Sequence, residues 1–63
     1  MYDLYFMGTL LRHFSEKDVP AYRREIQHVF GNGHWEEVSN APMRESVFVT
    51  DDDHKVLFTL VKD

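Results

Sequence analysis

The sequence contains no cysteine, three glycines, two prolines and no long run of apolar residues. Without cysteine, neither a disulfide nor a thiolate-bound metal can stabilise the fold. No apolar segment approaches the roughly 18 residues that a membrane-spanning helix needs. A chain of 63 residues buries only about 60% of its unfolded surface, so its stability alone is marginal. We therefore expect one domain, residues 1–63, that depends on a small core and on a partner.

Features of an exported protein are missing as well. Residues 1–7 carry the acidic Asp3 where a signal peptide is basic, and they lack a small-residue cleavage site. Together with the missing cysteine, this predicts a cytoplasmic protein. The net charge is -4, and residues 31–63 hold the whole excess, with seven acidic against three basic residues. Such a surface repels nucleic-acid phosphates and suits a basic partner.

Apolar and aromatic side chains are plentiful, at 43% and 14% of the residues, as in folded domains. Val56–Lys62 carries them on both sides of an extended strand, with Phe58 and Leu60 pointing one way and Leu57 and Val61 the other. A strand with one face in water alternates apolar and polar residues. This pattern therefore predicts an inner strand that is covered on both faces.

A first strand is predicted over residues 2–11, where apolar residues alternate on both faces. Gly8 in its middle indicates a bulge or a close crossing of a helix. The two predicted faces carry Leu4, Phe6 and Leu10, and Tyr5, Met7 and Leu11.

Two more strands are predicted at residues 35–39 and 46–50, which are rich in aromatic and β-branched residues. Residues 40–42 break the chain between them, because a proline cannot donate a hydrogen bond to a sheet. The acidic residues 51–54 are typical of a hairpin loop before the last strand. Trp35 is expected to pack in the core.

One helix is predicted over residues 18–30, after a short turn at residues 15–17. Asp18 is its cap, which places Pro20 in the first turn, where a missing N–H costs no hydrogen bond. Gly31 is expected to end the helix in a left-handed conformation. Apolar residues at three- and four-residue spacing form one stripe for the sheet. They are Val19, Tyr22, Ile26 at the centre, Val29 and Phe30.

The element order β-α-β-β-β predicts an α+β fold. In it, one helix packs on one face of a small, three- to four-stranded, mainly antiparallel sheet. One helix covers only one face, so the opposite face is expected to be apolar and uncovered. A shift of one residue would exchange the faces, and two sets of residues therefore remain open. Both sets for the uncovered face contain Tyr5, Met7, Leu11, Leu57 and Val61. They differ in the strand at residues 46–50, where one set adds Val47 and Val49 and the other adds Phe48.

Small size, an uncovered apolar face and an acidic half predict a protein-interaction module. It would act as an inhibitor or adaptor of the kind that phages and mobile elements encode, and an acidic mimic of nucleic acid is a special case. A homodimer is the simplest cover for the face, and a different protein is the other. The predicted binding residues are Tyr5, Met7, Leu11, Trp35, Glu36, Glu37, Leu57 and Val61.

No arrangement for catalysis is apparent, so no enzyme, cofactor or metal is predicted. Glu36 and Glu37 are adjacent in a strand and point to opposite faces, so they cannot act on one substrate. Residues 51–53 are three aspartates without the alternating ligands of a calcium loop, which is typical of a solvated hairpin tip. His28 and His34 flank the end of the helix, but zinc needs two further ligands.

Two other functions remain open. A nucleic-acid-binding module would use the helix residues Arg23 and Arg24, with Arg12 nearby in the sequence. A ligand-binding or enzymatic dimer would place its site at the subunit junction, with His13 and His34 as candidates.

Residues 33–38, Gly-His-Trp-Glu-Glu-Val, resemble the Gly-Trp-Glu-aliphatic-Val motif of a widespread family of small bacterial and phage proteins of unknown function. Here His34 stands between the glycine and the tryptophan, and Glu37 takes the place of the aliphatic residue. The family has a strand, a helix, this motif and a closing Phe-rich strand, and Val56–Lys62 matches the last. The resemblance implies this fold and no activity, because the family has none assigned.

Overall fold

The computed structural model describes residues 1–40 and 43–62, and the side chains of residues 1–38 and 45–62. It shows a five-stranded antiparallel sheet with one α-helix packed on one face, in place of the three to four strands predicted. The strands are β1 (Tyr2–Phe6), β2 (Thr9–Phe14), β3 (Gly33–Asn40), β4 (Met43–Thr50) and β5 (Val56–Lys62). A 3-10 turn (Glu16–Asp18) leads into helix α1 (Val19–Val29). The strand order across the sheet is β2-β1-β5-β4-β3.

The fifth strand arises because the predicted first strand reverses at Met7 and Gly8. Both residues have a positive φ, 49° and 88°, as a two-residue type I′ hairpin turn requires. Gly8 adopts this conformation without steric cost, so its role is the turn, and the predicted bulge or helix crossing at this residue is wrong. The alternation of apolar residues continues through the turn, and it therefore gave no sign of the reversal.

The hairpin also corrects the predicted faces of residues 2–11. Tyr5 lies opposite Leu10 and Leu4 lies opposite Arg12, so Leu11 is an extra residue that forms a bulge in β2. Residues directly opposite each other on neighbouring strands share a face of the sheet. Leu10 therefore shares a face with Tyr5 and lies on the opposite side from Leu4.

Helix α1 begins and ends within one residue of the prediction. Asp18 occupies the cap position and Pro20 lies in the first turn, although the Asp18 side chain makes no capping hydrogen bond. Gly31 has no positive φ, so the predicted left-handed end is wrong. Phe30 leaves the helical conformation first, at φ -111° and ψ 71°, while its N–H still donates to the Ile26 carbonyl at 2.8 Å.

Strands β3 and β4 are longer than predicted, and β5 has the predicted bounds. Residues 41 and 42 of the predicted break lie outside the described part of the chain. Strand β5 lies between β1 and β4, which confirms its predicted inner position. No helix or strand of the described residues covers its other face, so cover on both faces stays a prediction. The segment that contains α1 carries the chain from the β2 edge of the sheet to the β3 edge.

The core lies between α1 and one face of the sheet, which we call the helix face. Phe48 and Leu60 are almost fully buried there, at 0% and 1% exposure. The Phe58 ring lies 5.0 Å from that of Phe6 and 5.4 Å from that of Phe30, so tilted aromatic rings fill much of the space. The buried cluster consists of Leu4, Phe14, Ile26, Phe48, Phe58 and Leu60, which confirms Ile26 as a core residue.

The predicted apolar stripe of α1 is wrong at Val29, which is 61% exposed. The helix ends at this residue, and Phe30 turns toward the sheet and takes the last core position. Among the described residues, no helix has the length and apolar character needed to cross a bilayer.

Gly33 marks a close approach between β3 and the core. A Cβ atom at this position would lie 2.5 Å from the ring of Phe48 and 2.7 Å from the carbonyl oxygen of Val49. Both distances are shorter than van der Waals contact, so only glycine lets β3 lie this close to β4 and the Phe48 ring.

Candidate functional site

The sheet face opposite the helix face, which we call the outer face, carries no helix or strand of the described chain. The strand register arranges its side chains in two rows across the sheet. The first row is Leu10, Tyr5, Thr59, Val47 and Glu36, and the second is His13, Asp3, Val61, Glu45 and Val38. Beyond the first row, Val49 lies opposite both Val56 and His34. This register decides which predicted set faces outward, since Val47 and Val49 do and Phe48 does not.

The centre of the outer face is apolar and only partly covered by its own side chains. Tyr5, Val47 and Val61 are half-buried, and Leu10 beside Tyr5 is 54% exposed. Val49 is the exception at 2% exposed. Charged side chains border this centre, with Asp3 and His13 toward the β2 edge and Glu36 and Glu45 toward the β3 edge, while Leu10 and Val38 end the two rows.

The eight predicted binding residues do not all come together. Those on the outer face are Tyr5, Glu36 and Val61. Met7 lies in the hairpin turn, and Leu11 and Leu57 are the extra residues at the bulges of β2 and β5. Met7 and Leu11 are 54% and 52% exposed, so the β1–β2 hairpin presents apolar surface beside the outer face. Leu10 completes this surface and was not predicted, because the unrecognised turn placed it on the wrong face.

Trp35 and Glu37, the remaining two, lie on the helix face with Arg23 of α1. The Trp35 indole N–H donates to the Arg23 carbonyl at 3.1 Å, and its ring stands edge-on to Phe48 at 5.4 Å. The Arg23 guanidinium lies 5.2 Å from the Trp35 ring centre and 3.0 Å from a Glu37 oxygen. Trp35 therefore packs against the core, as expected, and connects α1 to β3.

His34 forms the most organised polar contact of the outer face. Its Nδ1 lies 2.7 Å from Asp51 and its Nε2 lies 2.7 Å from Glu36. An ionised carboxylate only accepts hydrogen bonds, so both ring nitrogens must donate and the ring is an imidazolium. The hydrogen bonds to Asp51 and then to Glu36 raise the pKa of His34 above its usual value, because they favour the charged form.

The His34 cluster continues to His54 in the β4–β5 loop. His54 has a positive φ of 58°, and its Nε2 lies 3.7 Å from Glu36 Oε2. The sequence carried one signal for this cluster, since His34 and Glu36 are two residues apart on one strand and must share a face. The contribution of Asp51 was not visible, because it depends on the register between β3 and β4.

The acidic β4–β5 loop is exposed, as predicted for a solvated hairpin tip. The Thr50 hydroxyl donates to Asp53 and accepts the Lys55 N–H at 2.9 Å. The hydrogen bond from Thr50 holds the pKa of Asp53 below its usual value. Asp51 and Asp53 are thus bonded to other parts of the protein, and they do not converge on a cation site.

Within residues 1–40 and 43–62, no group of three or more His, Asp or Glu side chains is arranged to hold a metal ion. His28 and His34 were the two histidines that the sequence analysis considered as zinc ligands. His34 instead directs both ring nitrogens at carboxylates.

The residues of the two alternative functions have different surroundings. Arg12 lies 5.5 Å from the Tyr22 ring centre, and Arg23 is paired with Glu37 and Trp35, so two of the three arginines already have protein contacts. His13 bonds Asp3 at the β2 end of the outer face, whereas His34 lies at the β3 end. Four strand spacings of about 4.8 Å separate these edges by roughly 19 Å, too far for one substrate group within one chain.

The edge of β3 has a defined pattern of backbone groups. The Asn32 carbonyl accepts the Asp51 N–H at 2.8 Å, and Gly33 lies opposite Thr50. In an antiparallel ladder, successive residues direct their backbone groups alternately to either side. His34 and the other even-numbered residues of β3 therefore bond β4, and the odd-numbered residues point outward. Gln27 of α1 donates to the outward Gly33 carbonyl at 2.7 Å.

The chain matches no known family model, no curated protein and no solved structure. The resemblance of residues 33–38 to a family motif therefore stays a prediction, and the function has to be argued from the geometry.

Proposed function

We propose that this chain is a small protein-binding module that acts in the cytoplasm as an inhibitor or adaptor. It occupies the surface of another protein with its outer face. A second copy of the chain is the first partner to test, and a different protein is the alternative.

One observation carries the proposal: the outer face has an apolar centre and no cover. The single helix of the described chain is already engaged on the helix face, through Ile26 and the core around it. Tyr5, Val47 and Val61 lie at the centre of the opposite face. Apolar surface of this kind is stabilised by removal from water, and a partner is the means available to a chain this small.

The distribution of charge supports self-association. Asp3 is bonded to His13 at one end of the outer face, and Glu36 is bonded to His34 at the other. The His13 and His34 pairs therefore need not be broken when the apolar centre is covered, whereas Glu45 beside Val61 would have to stay at the solvent-accessible border of the interface.

The test is a charge placed at the exposed apolar surface. Leu10→Lys is suitable because Leu10 is 54% exposed, so a lysine does not disturb the fold of the monomer. Val29→Lys is the matched control, since Val29 is 61% exposed and lies at the end of α1, away from the outer face. Sedimentation equilibrium should show self-association of the wild type, a weakening of about tenfold or more for Leu10→Lys, and no change for Val29→Lys.

Apolar association should persist at about 1 M salt, where the Debye length is about 3 Å and surface charges are screened. A stable 7.5 kDa monomer at high micromolar concentration would contradict self-association. The outer face would then be assigned to a different protein. Equal weakening by Leu10→Lys and Val29→Lys would remove the outer face from the proposal.

A further inference from the structure

We propose that the free edge of β3 binds an extended segment of a partner protein that carries two consecutive basic residues. The segment adds a sixth strand to the sheet, which is a known mode of peptide recognition. This edge is separate from the apolar centre of the outer face, and the proposal does not rest on binding by that face.

Strand β3 directs a set of backbone N–H and C=O groups outward, away from β4. Strand β3 pairs with β4 over eight consecutive residue pairs without a bulge, so its free edge is regular. Trp35, Glu37 and residue 39 point their N–H and C=O groups away from β4. No backbone hydrogen bond from these groups to another element is present among the described residues. A strand laid antiparallel beside β3 satisfies all of them.

Helix α1 sets the limit of the available edge. Gln27 donates to the Gly33 carbonyl and thereby occupies the first outward acceptor of β3. Among the described residues, no side chain donates to or accepts from the outward backbone groups of Trp35. The binding segment is therefore short, and it pairs with residues 35–39.

The negative charge at this edge of the sheet favours a basic segment. Glu36 and Glu37 lie in the middle of this edge and point to opposite faces. Glu37 is 68% exposed, pairs with Arg23 through Oε1 and accepts the Ser46 hydroxyl through Oε2 at 2.9 Å. Glu36 is 40% exposed and its Oε2 bonds His34, so an added basic segment would share both carboxylates with groups of the chain itself. Two consecutive basic residues on an added strand would lie opposite these two carboxylates, one on each face. Opposite charges at directly facing positions stabilise strand pairing.

The same charges oppose pairing with a second copy of the chain in the registers centred on Glu37 and on Glu36. The outward groups belong to odd-numbered residues, so a self-pairing must place odd-numbered residues opposite one another. The register that uses all of residues 35–39 then puts Glu37 opposite Glu37 of the second copy. Moving the register toward Gly33 puts Glu36 opposite Glu36. Like charges facing each other oppose pairing in these two registers, whereas basic residues at the same positions would favour it.

The experiment uses a short synthetic peptide as the probe. Acetyl-Thr-Val-Lys-Arg-Val-Thr-amide is titrated into the isotope-labelled chain and followed by NMR and amide hydrogen exchange. The Trp35 and Glu37 amides should gain protection, whereas the His34, Glu36 and Val38 amides, which already bond β4, should not change. A peptide with Glu-Glu in place of Lys-Arg, and one with proline in place of the second valine, whose N–H would bond Trp35, serve as controls.

Variants of the chain test the contribution of charge. Glu36→Gln with Glu37→Gln should weaken binding of the basic peptide by about three- to tenfold, in line with two partly exposed ion pairs. Glu16→Gln with Glu25→Gln removes the same charge from exposed positions outside β3 and should change binding less than twofold.

Alternate protection along β3 together with a preference for the basic peptide would support the proposal. It would be overturned by equal binding of the Lys-Arg and Glu-Glu peptides, by absence of binding, or by shifts confined to the outer face. Equal weakening by the two pairs of variants would also overturn it, because the attraction would then be to net charge and not to this edge.

Discussion

Phe48 and Val47 are neighbours in β4, and they show how differently the two faces of the sheet are used. Phe48 is 0% exposed and contacts the rings of Phe30 directly after α1, Trp35 in β3 and Phe58 in β5. Val47 lies on the outer face, half-buried between Thr59 and Glu36. The face that α1 covers therefore supplies most of the stability of the fold. Apart from Val49, the apolar residues of the outer face are less buried, so we expect them to contribute less to the stability of the monomer.

Phe48→Ala should show the difference between the faces most strongly. Removal of a fully buried ring should lower the free energy of unfolding by about 3–5 kcal/mol, a large part of the total for a small domain. Val47→Ala, the matched change on the outer face, should cost about 1 kcal/mol or less, since Val47 is only half-buried. Urea denaturation at low protein concentration measures both values. Similar losses for the two variants would mean that both faces contribute equally to the free energy of unfolding.

Gly33→Ala tests how tightly the helix face is packed, because it adds one methyl group there. The new Cβ would overlap the Phe48 ring and the Val49 carbonyl, so we expect a loss of about 1–3 kcal/mol. Gly31→Ala is the control, since a Cβ there meets nothing within 4 Å and no positive φ is required. It should leave stability unchanged or raise it by about 0.4–1 kcal/mol. Equal effects in thermal denaturation would show that β3 has room to shift.

The smallest expected effect concerns His34 on the outer face, and it depends on pH. The pKa of His34 is raised in the folded state by Asp51 and Glu36, so its contribution is fully present below the unfolded value of about 6.5. The contribution is lost as the pH rises through the folded pKa. The stability difference between the wild type and His34→Gln should therefore shrink as the pH rises above about 6.5.

NMR titration of the His34 ring gives a direct check of that mechanism. Asp51→Asn should move the pKa of His34 back toward its usual value, because Asp51 is the largest cause of the shift. Asp52→Asn removes a charge from the same exposed loop without removing a hydrogen bond to His34, and it should have a smaller effect. If both variants move the titration equally, the loop acts through its net charge and the hydrogen bond is unimportant.

The best predicted elements are those whose sequence pattern has one interpretation. The run of apolar and β-branched residues at Val56–Lys62 follows the turn-forming residues 51–54, and its bounds were predicted without error. Asp18 and Pro20 placed the start of α1 within one residue, because proline is tolerated only in the first turn.

The hairpin at Met7 and Gly8 was missed for a physical reason. Type I′ turns are signalled by Asn-Gly or Asp-Gly, and a methionine with a φ of 49° carries no such signal. The error propagated to the candidate site, since it placed Leu10 on the wrong face. The contact between His34 and Asp51 could not be predicted either, because the two residues meet only through the β3–β4 register.

The position of β5 has a consequence for the order of assembly. β5 follows the other strands in the chain, yet it lies in the middle of the sheet, where Tyr2 faces Lys62. The β1–β2 hairpin and the β3–β4 pair have no direct contact in the strand order until β5 joins them. During synthesis, the ribosome must therefore release residues 56–62 before the sheet can close. Such distant pairing gives a high contact order, and we expect folding in milliseconds to seconds, slower than for a helical domain of this size.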